Sequence, residues 1–293
     1  MSDPSPDPFL SLSEALAGHV AAVSPSIVGL RSRHTAASGF FWKSGLVVSA
    51  DEALAEDETI EAVLPGGEHK TAAFVGRDPT TNVALLRVEG ATAPAIALER
   101  RDVRPGSLAL VVGARAGAPL AALGTVAFAG PAWRSMRGGA IDARVELGTR
   151  LPRDAEGGLV LDAAGRAAGM AVFGPRRRVL VIPAATIDRV AAQLERHGRI
   201  PRGYLGLALQ RVRVDRDHVG AMAMSVDAEG PAAKAGFCQG DVVVGLGGEP
   251  LKGIRPLIDA LGPDSIGKTL RLGVRRAGAP LELELTVGER PHA

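Results

Sequence analysis

Short apolar segments separated by glycine, proline and aspartate turns follow one another as far as residue 183. Segments of this length and spacing are typical of β-strands in barrels or sandwiches. They fall into two series of six, with a break near Arg104-Pro-Gly106. The first series covers residues 20–30, 39–43, 45–49, 60–64, 70–76 and 83–88, and the second covers 108–113, 121–128, 140–146, 158–161, 167–173 and 178–183.

Two stretches have helical rather than strand periodicity. Residues 9–22 carry apolar side chains at helical spacing, with Ser11 or Ser13 as candidate N-caps. Residues 183–198 end at a glycine suited to a C-cap. The apolar side chains of this second helix share one face: Ile187, Val190, Ala191 and Leu194.

The stretch 151–170 joins a loop to a β-hairpin. Gly157 and Gly158 open an apolar run, and a turn at 162–165 leads into a second apolar run. Glycines at these places predict tight bends or a close approach of the backbone to a ligand.

Composition narrows the classes of function. The chain has 293 residues, enough for two domains, and only 3% of them are aromatic. A net charge of +2 gives no reason to expect nucleic-acid binding. The single cysteine, Cys238, excludes an internal disulfide and a cysteine-built metal site. No histidine spacing predicts a metal site, so we expect neither a metal nor a cofactor.

The N-terminal sequence shapes the expected location. Residues 1–8 are acidic and proline-rich and lack the basic and apolar regions of a secretory signal. No window approaches the roughly 18 apolar residues of a membrane span. These features predict a cytoplasmic protein without a membrane span.

Several motifs together resemble the HtrA/Deg family of trypsin-like serine proteases. The stretch 151–170 is similar to that family's nucleophile loop, Gly-Asn-Ser-Gly-Gly followed by an apolar strand. Residues 45–54 and 76–87 are similar to the segments that carry the family's histidine and aspartate. The resemblance implies a mainly β fold, a chymotrypsin-like double β-barrel followed by an α+β PDZ domain. We therefore expect an N-terminal extension and helix at 1–22, the double barrel at 23–198 and the PDZ domain at 203–290.

The same resemblance places substitutions at all three catalytic positions. Glu52 stands at the histidine position, Asn82 at the aspartate position and Glu156 at the serine position. A glutamate has a reference pKa of about 4.3 and is a poor general base, and Glu156 has no hydroxyl to attack a peptide. The family's oxyanion-hole loop corresponds to Asp154, Ala155 and Glu156. Glu156 would fill that hole with its own carboxylate and inhibit it.

Two alternatives remain open at this point. An active serine endopeptidase needs a serine–histidine pair, for which His34, His69, Ser44, Ser49 and Ser107 are the candidates by strand position. Paired carboxylates at Glu52 and Glu156 would instead suit acid–base or metal-assisted hydrolysis. Arginines beside the same loop would attract an acidic partner or neutralise Glu156, or form a solvated rim; these are Arg150, Arg153, Arg176, Arg177 and Arg178.

The C-terminal part resembles an HtrA-type PDZ domain. Gly203-Tyr-Leu-Gly-Leu207 stands at the carboxylate-binding loop, 229–244 match the short helix, turn and strand, and 253–261 match the groove helix. The resemblance implies binding of a peptide C-terminus by strand addition, with an apolar pocket for its last side chain. The peptide-binding residues it implies are Tyr204, Leu205, Gly206, Leu207, Ile254, Leu257, Ile258 and Leu261.

These features predict a proteolytically inactive HtrA-like protein that acts as a peptide-binding scaffold or chaperone-like protein. The expected partners are protein C-termini with hydrophobic residues and unfolded proteins, and no nucleic acid. The resemblance also implies a homotrimer, to which Phe9, Phe40, Phe41 and Trp42 would contribute.

Overall fold

The chain divides into two compact units, Met1–Ile200 and Pro201–Ala293. The structure is a computed structural model that describes residues 7–55, 59–100, 102–215, 218–262 and 265–291. Residues 1–6, part of the expected N-terminal extension at 1–22, lie outside the described residues. No helix within the described ranges has the length and apolarity needed to cross a membrane.

The first unit opens with helix α1, Pro8–Val23. Its N-cap is Asp7, whose carboxylate accepts a hydrogen bond from the Phe9 N–H at 2.9 Å. The expected caps, Ser11 and Ser13, instead lie inside the helix, because Pro8 fits the first helical position and starts the helix earlier.

Six strands then close into a barrel in the order β1-β2-β3-β6-β5-β4. Their bounds are β1 Ile27–Arg31, β2 Ala36–Lys43, β3 Leu46–Ser49, β4 Ile60–Val63, β5 His69–Asp78 and β6 Val83–Val88. Alternate side chains fill the interior, among them Leu30, Phe41 and Leu86.

A second closed barrel has the order β11-β14-β13-β12-β7-β8. Between β8 and β11 the chain forms a separate two-stranded ribbon, β9 paired with β10. The bounds are β7 Leu108–Arg115, β8 Ala118–Gly130, β9 Trp133–Arg134, β10 Ala140–Ile141, β11 Arg144–Gly148, β12 Leu159–Asp162, β13 Ala167–Phe173 and β14 Val179–Pro183.

The strand expected at 140–146 is divided between β10 and β11. Asp142 lies at the break, where its N–H and its carboxylate both bond the Thr186 hydroxyl, at 3.0 and 2.6 Å. Arg189 donates to the same carboxylate and to the carbonyl of Ala140. These contacts turn the chain out of one sheet and into the other.

Helix α2, Ala184–His197, follows β14 and ends at Gly198 in a left-handed conformation, as expected for a glycine C-cap. Its buried side chains join residues of both barrels in one apolar core. The two closed six-stranded barrels confirm the expected mainly β, chymotrypsin-like double-barrel fold class.

The second unit is a small α+β domain. Its sheet has the order β16-β17-β18-β20-β21, with β19 paired to β18 and a separate β15–β22 pair. The strands are β15 Gly203–Tyr204, β16 Leu207–Arg213, β17 Val219–Val226, β18 Val242–Leu246, β19 Glu249–Pro250, β20 Thr269–Arg276, β21 Ala279–Thr286 and β22 Gly288–Glu289, and the helices are α3 Pro231–Lys234 and α4 Arg255–Asp259. The expected groove helix at 253–261 is therefore shorter at both ends.

The first barrel holds the loop before β12 through one buried residue, Ser38 on β2. The Ser38 hydroxyl donates to the carbonyl of Asp154 and accepts from the Ala114 N–H at 2.9 Å. Its own N–H donates to the carbonyl of Glu156 at 2.8 Å. Gly157 follows with a φ of +82° and lies so close that a Cβ there would be 2.2 Å from the Ser38 carbonyl oxygen.

Substitution of Gly157 by alanine should destabilise the first unit by about 3 kcal/mol or more, because it adds a clash with β2 backbone to an unfavourable φ. Gly66 is the matched control, since its φ is +87° and no atom lies within 4 Å of the place that a Cβ would take. Gly66→Ala should cost only about 1 kcal/mol. Urea unfolding of the two variants checks this, and equal losses would contradict the role of close packing.

Candidate functional site

Two loops, one from each barrel, bring the candidate catalytic residues together. The first is the 3-10 turn Asp51–Ala53 after β3, which contains Glu52. The Glu52 N–H donates to the side-chain oxygen of Asn82 at 2.8 Å. Asn82 lies in the turn before β6 with a φ of +59°, a left-handed conformation that asparagine adopts more readily than most residues.

A buried ion pair supports this first loop. Asp51 is only 3% exposed, and its carboxylate pairs with the guanidinium of Arg77. The same guanidinium donates to the carbonyls of Asp51 and Leu54 at 3.0 and 3.1 Å. On this fixed backbone the Glu52 side chain is 46% exposed.

The second loop is the 3-10 turn Arg153–Ala155, which Glu156 ends. The Glu156 N–H donates to the carbonyl of Arg153 at 3.0 Å. Its half-buried carboxylate accepts a hydrogen bond from the Phe173 N–H, at the end of β13, at 3.0 Å. The backbone N–H at this position is therefore already bonded within the turn, and the carboxylate is directed to β13 rather than to the N–H groups of its own loop.

Burial raises the pKa of the Glu156 carboxyl, because a charged carboxylate loses hydration there. The negative charge of the Glu52 carboxylate raises that pKa further. The Phe173 N–H and the guanidinium groups of Arg153 and Arg177 act in the opposite sense but do not cancel the increase.

The β9–β10 ribbon covers Glu52 from one side. Arg137, in the turn of the ribbon, pairs with the Glu52 carboxylate at 3.2 Å and donates to the carbonyl of Pro79 at 3.2 Å. Gly139 lies so close to Thr80 that a Cβ on Gly139 would be 2.4 Å from the carbonyl oxygen of Thr80. The ribbon is thus packed against the same turn of the first barrel that carries Asn82.

Asp154 does not face Glu156 as a free charge. Its two carboxylate oxygens accept hydrogen bonds from Arg115 at 2.6 and 3.2 Å, a two-point pair. The hydrogen bond from Arg115 holds the pKa of Asp154 below its usual value. Ala155, next in the loop, is fully buried in the interior of the second barrel.

The arginines near this loop have separate roles. Arg177 lies over the Phe173 ring, with 5.3 Å from its guanidinium carbon to the ring centre. Arg178 pairs with Glu146 on β11 at 3.2 Å. The remaining members of the set are exposed: Arg150, Arg153 and Arg176.

Two of the serine and histidine candidates have structural partners elsewhere. Ser49 is buried and donates to the carbonyl of Ser38 at 2.7 Å. His69 contacts Glu61 on the neighbouring strand at 3.0 Å. Within the described part of the chain, no group of three or more His, Cys, Asp or Glu side chains is arranged to hold a metal ion.

The expected carboxylate-binding loop of the second unit joins β15 to β16. Gly206 has a φ of +77°, and its carbonyl accepts from the Asp227 N–H at 2.9 Å. The carbonyl of Leu205 accepts from the Ala232 N–H at 2.8 Å. Beside this loop, β16 is an end strand of the described sheet and pairs with β17 alone.

The apolar residues expected to line the groove have different environments. Leu257 on α4 is 1% exposed and belongs to the core of the unit, whereas Ile258 is 49% exposed. Ile254 and Leu261 are partly buried against the same core. Tyr204 bonds through its hydroxyl to the Asp227 carboxylate at 3.1 Å.

Sequence reasoning missed two residues that organise the barrel site. Ser38 left one signal, since it is a polar residue inside an otherwise apolar strand. Arg137 left no signal, because the β9–β10 ribbon that carries it was not expected.

Two family models match the chain. The trypsin-like peptidase domain matches residues 37–170, and the PDZ domain matches residues 203–287. Among curated relatives, the chain is 29% identical over 269 residues to a probable periplasmic serine endoprotease DegP-like protein of Bartonella henselae, covering 87% of this chain and 53% of the relative. A protein of the same description from Pseudomonas putida is 27% identical, with 89% and 57% covered. The chain thus spans about half the length of the curated relatives it matches.

These relatives overturn one expectation. They are named as periplasmic proteins, so the prediction of a cytoplasmic location from the N-terminal sequence is wrong. The missing basic and apolar regions at residues 1–8 were not a reliable guide to compartment.

Solved structures share the fold at low identity. The HtrA-type protease AlgW with a decapeptide superimposes with a TM-score of 0.73 at 21% identity, covering 95% of this chain and 99% of that one. The serine endoprotease from Yersinia pestis gives 0.72 at 21% identity, covering 94% and 98%. The chain thus contains a trypsin-like peptidase domain followed by a PDZ domain, and its sequence is similar to DegP-like serine endoproteases.

Proposed function

We propose that this protein binds peptides without cleaving them, as an HtrA-like scaffold or chaperone-like protein. In this proposal Glu52, Asn82 and Glu156 occupy the positions of a protease's base, orienting acid and nucleophile. The protease-like part is assigned to residues 23–198 and the PDZ part to residues 203–290.

The observation that carries the proposal is the Glu156 side chain. Its carboxylate is bonded to the Phe173 N–H, and in the proposed alignment it replaces the hydroxyl that a serine protease uses to attack its substrate. A carboxylate has no hydroxyl proton to be removed, and Glu52 offers a carboxylate, a weaker base than imidazole, to accept one. The Glu156 N–H, which would stabilise an oxyanion, is bonded to Arg153.

The geometry of the second unit supports peptide capture. A trans peptide is planar, so a carbonyl and the following N–H point in opposite directions. The Leu205 carbonyl is directed to Ala232, so the N–H of Gly206 is directed away from Ala232. In the same way, the Gly206 carbonyl is directed to Asp227, so the N–H of Leu207 is directed away from Asp227. Two adjacent N–H groups turned outward suit a carboxylate, and the end strand β16 suits a peptide added to the sheet.

The competing proposal is an active serine-type endopeptidase in protein quality control. It is favoured by the relatives, which are named as serine endoproteases at 27–29% identity. Those relatives also favour the periplasm as the compartment of this chain. The homotrimer remains a prediction of the family resemblance.

Cleavage of casein separates the two proposals. The native chain should be inert, whereas Glu52→His, Asn82→Asp, Glu156→Ser and Asp154→Gly introduced together should restore measurable cleavage. The reason is that these changes supply a base, its orienting acid, a hydroxyl and a flexible oxyanion loop on an existing scaffold. Release of soluble peptides is the measurement.

A fluorophosphonate probe provides the control, because it labels only an activated serine hydroxyl. The native chain should remain unlabelled and the restored variant should be labelled. If the native chain cleaves casein and takes up the probe, the endopeptidase proposal is right. If it cleaves without labelling and Glu156→Ala abolishes cleavage, carboxylate chemistry at Glu52 and Glu156 is responsible.

The second unit should bind a peptide that ends in a hydrophobic residue with a free carboxylate. The same peptide with a C-terminal amide should bind at least about tenfold more weakly, since it lacks the charge that the outward N–H groups recognise. Ile258→Glu should weaken binding by a similar factor while the protein remains folded, because this side chain is exposed. Fluorescence anisotropy measures both, and equal affinity for acid and amide would exclude the carboxylate loop.

Glu156→Gln should stabilise the protein at pH 7. The pKa of Glu156 is higher in the folded chain than in the unfolded chain. Ionisation of Glu156 therefore lowers the free energy of unfolding once the pH exceeds about 4.3, the pKa of a glutamate in an unfolded chain. The gain in melting temperature should therefore disappear as the pH falls below about 4. Glu89→Gln, at an exposed position, is the control and should change the melting temperature little at either pH. A gain in melting temperature for Glu156→Gln that persists in acid would show that packing, not charge, is the cause.

A further inference from the structure

Strand β16 of the second unit changes character halfway along its length. Leu207 and Leu209, in its first half, are partly buried against the core of the unit. Arg211 and Arg213, in its second half, are exposed. Because side chains alternate along a strand, these four project from one face of the sheet and the residues between them project from the other. Two leucines are thus followed by two arginines in a single row.

The pairing of β16 with β17 supports this assignment of faces. Leu209 lies opposite Ala223 and Arg211 lies opposite Ala221, and both alanines are buried in the core of the unit. Residues that lie directly opposite each other in an antiparallel pair project from the same face. The arginines therefore extend the apolar row that begins at Leu207, beside the expected carboxylate-binding loop.

The positive charge of this row is not balanced by its neighbours. Strands β16 and β17 contain no acidic residue, and the residues opposite Arg211 and Arg213 are an alanine and a valine. Asp215, the first acidic residue after β16, is bonded to the His218 ring at 2.8 Å and to the His218 N–H at 2.9 Å. Among the described residues, neither arginine has a side-chain hydrogen bond or an ion pair.

Strand addition determines which residues of a bound peptide would meet these arginines, a step that rests on the peptide binding proposed above. The carboxylate would lie at the loop before β16, so the peptide would run antiparallel to β16. With its last residue opposite Leu207, the residues four and six positions earlier would lie opposite Arg211 and Arg213. Opposite Cβ atoms are about 4.5–5.5 Å apart, which brings a carboxylate within reach of a guanidinium.

We propose that the second unit selects protein C-termini that carry acidic residues four and six positions before a hydrophobic last residue. The last residue and its carboxylate provide the capture. The acidic side chains pair with Arg211 and Arg213 through charge-assisted hydrogen bonds and provide the selectivity. Acidic residues three and five positions before the end project from the other face and do not meet the arginines.

Three labelled peptides of equal length, titrated with the full-length chain, test the proposal by fluorescence anisotropy. The first carries glutamates four and six positions before a C-terminal valine. The second has the same composition, with both glutamates moved one position towards the end, and the third has glutamines in place of the glutamates. The first should bind about threefold to tenfold more tightly than either of the others. This preference should disappear at about 1 M salt, because charges are then screened beyond about 3 Å.

Variants of the two arginines assign the preference to them. Arg211→Gln and Arg213→Gln together should equalise the three peptides. Arg211→Glu and Arg213→Glu together should reverse the preference, so that lysines at the two peptide positions bind better than glutamates. Both arginines are exposed, so these variants should fold. Arg275→Gln is the control, since it removes an exposed charge from β20, which β17 and β18 separate from β16. It should keep the native preference.

The outcomes separate this proposal from the peptide binding on which it rests. If each peptide binds more tightly than its C-terminal amide but all three bind equally, capture is right and selection by the arginines is wrong. Equal tightening by the shifted glutamates would indicate diffuse attraction of any acidic chain and would also overturn the selection. So would a native preference that survives in the double glutamine variant. If none of the peptides binds, capture and selection both fail.

Discussion

The hydrogen bonds of one buried hydroxyl hold the candidate site in its present form. Ser38 lies on the first barrel, yet its side chain bonds Asp154 and Ala114 of the second, and its N–H bonds the carbonyl of Glu156. Ser38 is fully buried, so none of its polar groups can be left unpaired without a cost of about 1–3 kcal/mol. The loop that presents Glu156 is consequently fixed by β2, and the two barrels meet at one defined spacing.

Contacts of a similar kind hold the loop of the first barrel that carries Glu52. The Asn82 side chain still holds the Glu52 N–H, and Arg77 still supports the turn below through Asp51. Neither contact uses the side chain of residue 52. Chemistry at the site depends on side chains, whereas its shape depends on Ser38, Asn82 and the glycines. Exchange of the Glu52 side chain can therefore leave the architecture intact.

The sequence was sufficient for the fold because strand period, turn glycines and motif order all agree. It did not predict the β9–β10 ribbon, since the apolar run 140–146 continues across Asp142 and only Thr186 and Arg189, distant in sequence, divide it. At the site, sequence identified Glu52 and Glu156 but not their partners. Arg137 and Phe173 contact them through tertiary structure alone, and the Phe173 contact uses a backbone N–H that has no sequence signal.

Helix α2 has a further consequence for the organisation of the chain into two units. Its residues Ile187, Val190 and Leu194 belong to the core shared by both barrels, and the helix stops at Gly198. The apolar core of the first unit is thus complete before the chain reaches Pro201. The second unit has a core of its own, built around residues such as Leu257 and Leu272. Helix α2 therefore closes one core before the chain begins the next, so each unit carries its own apolar interior.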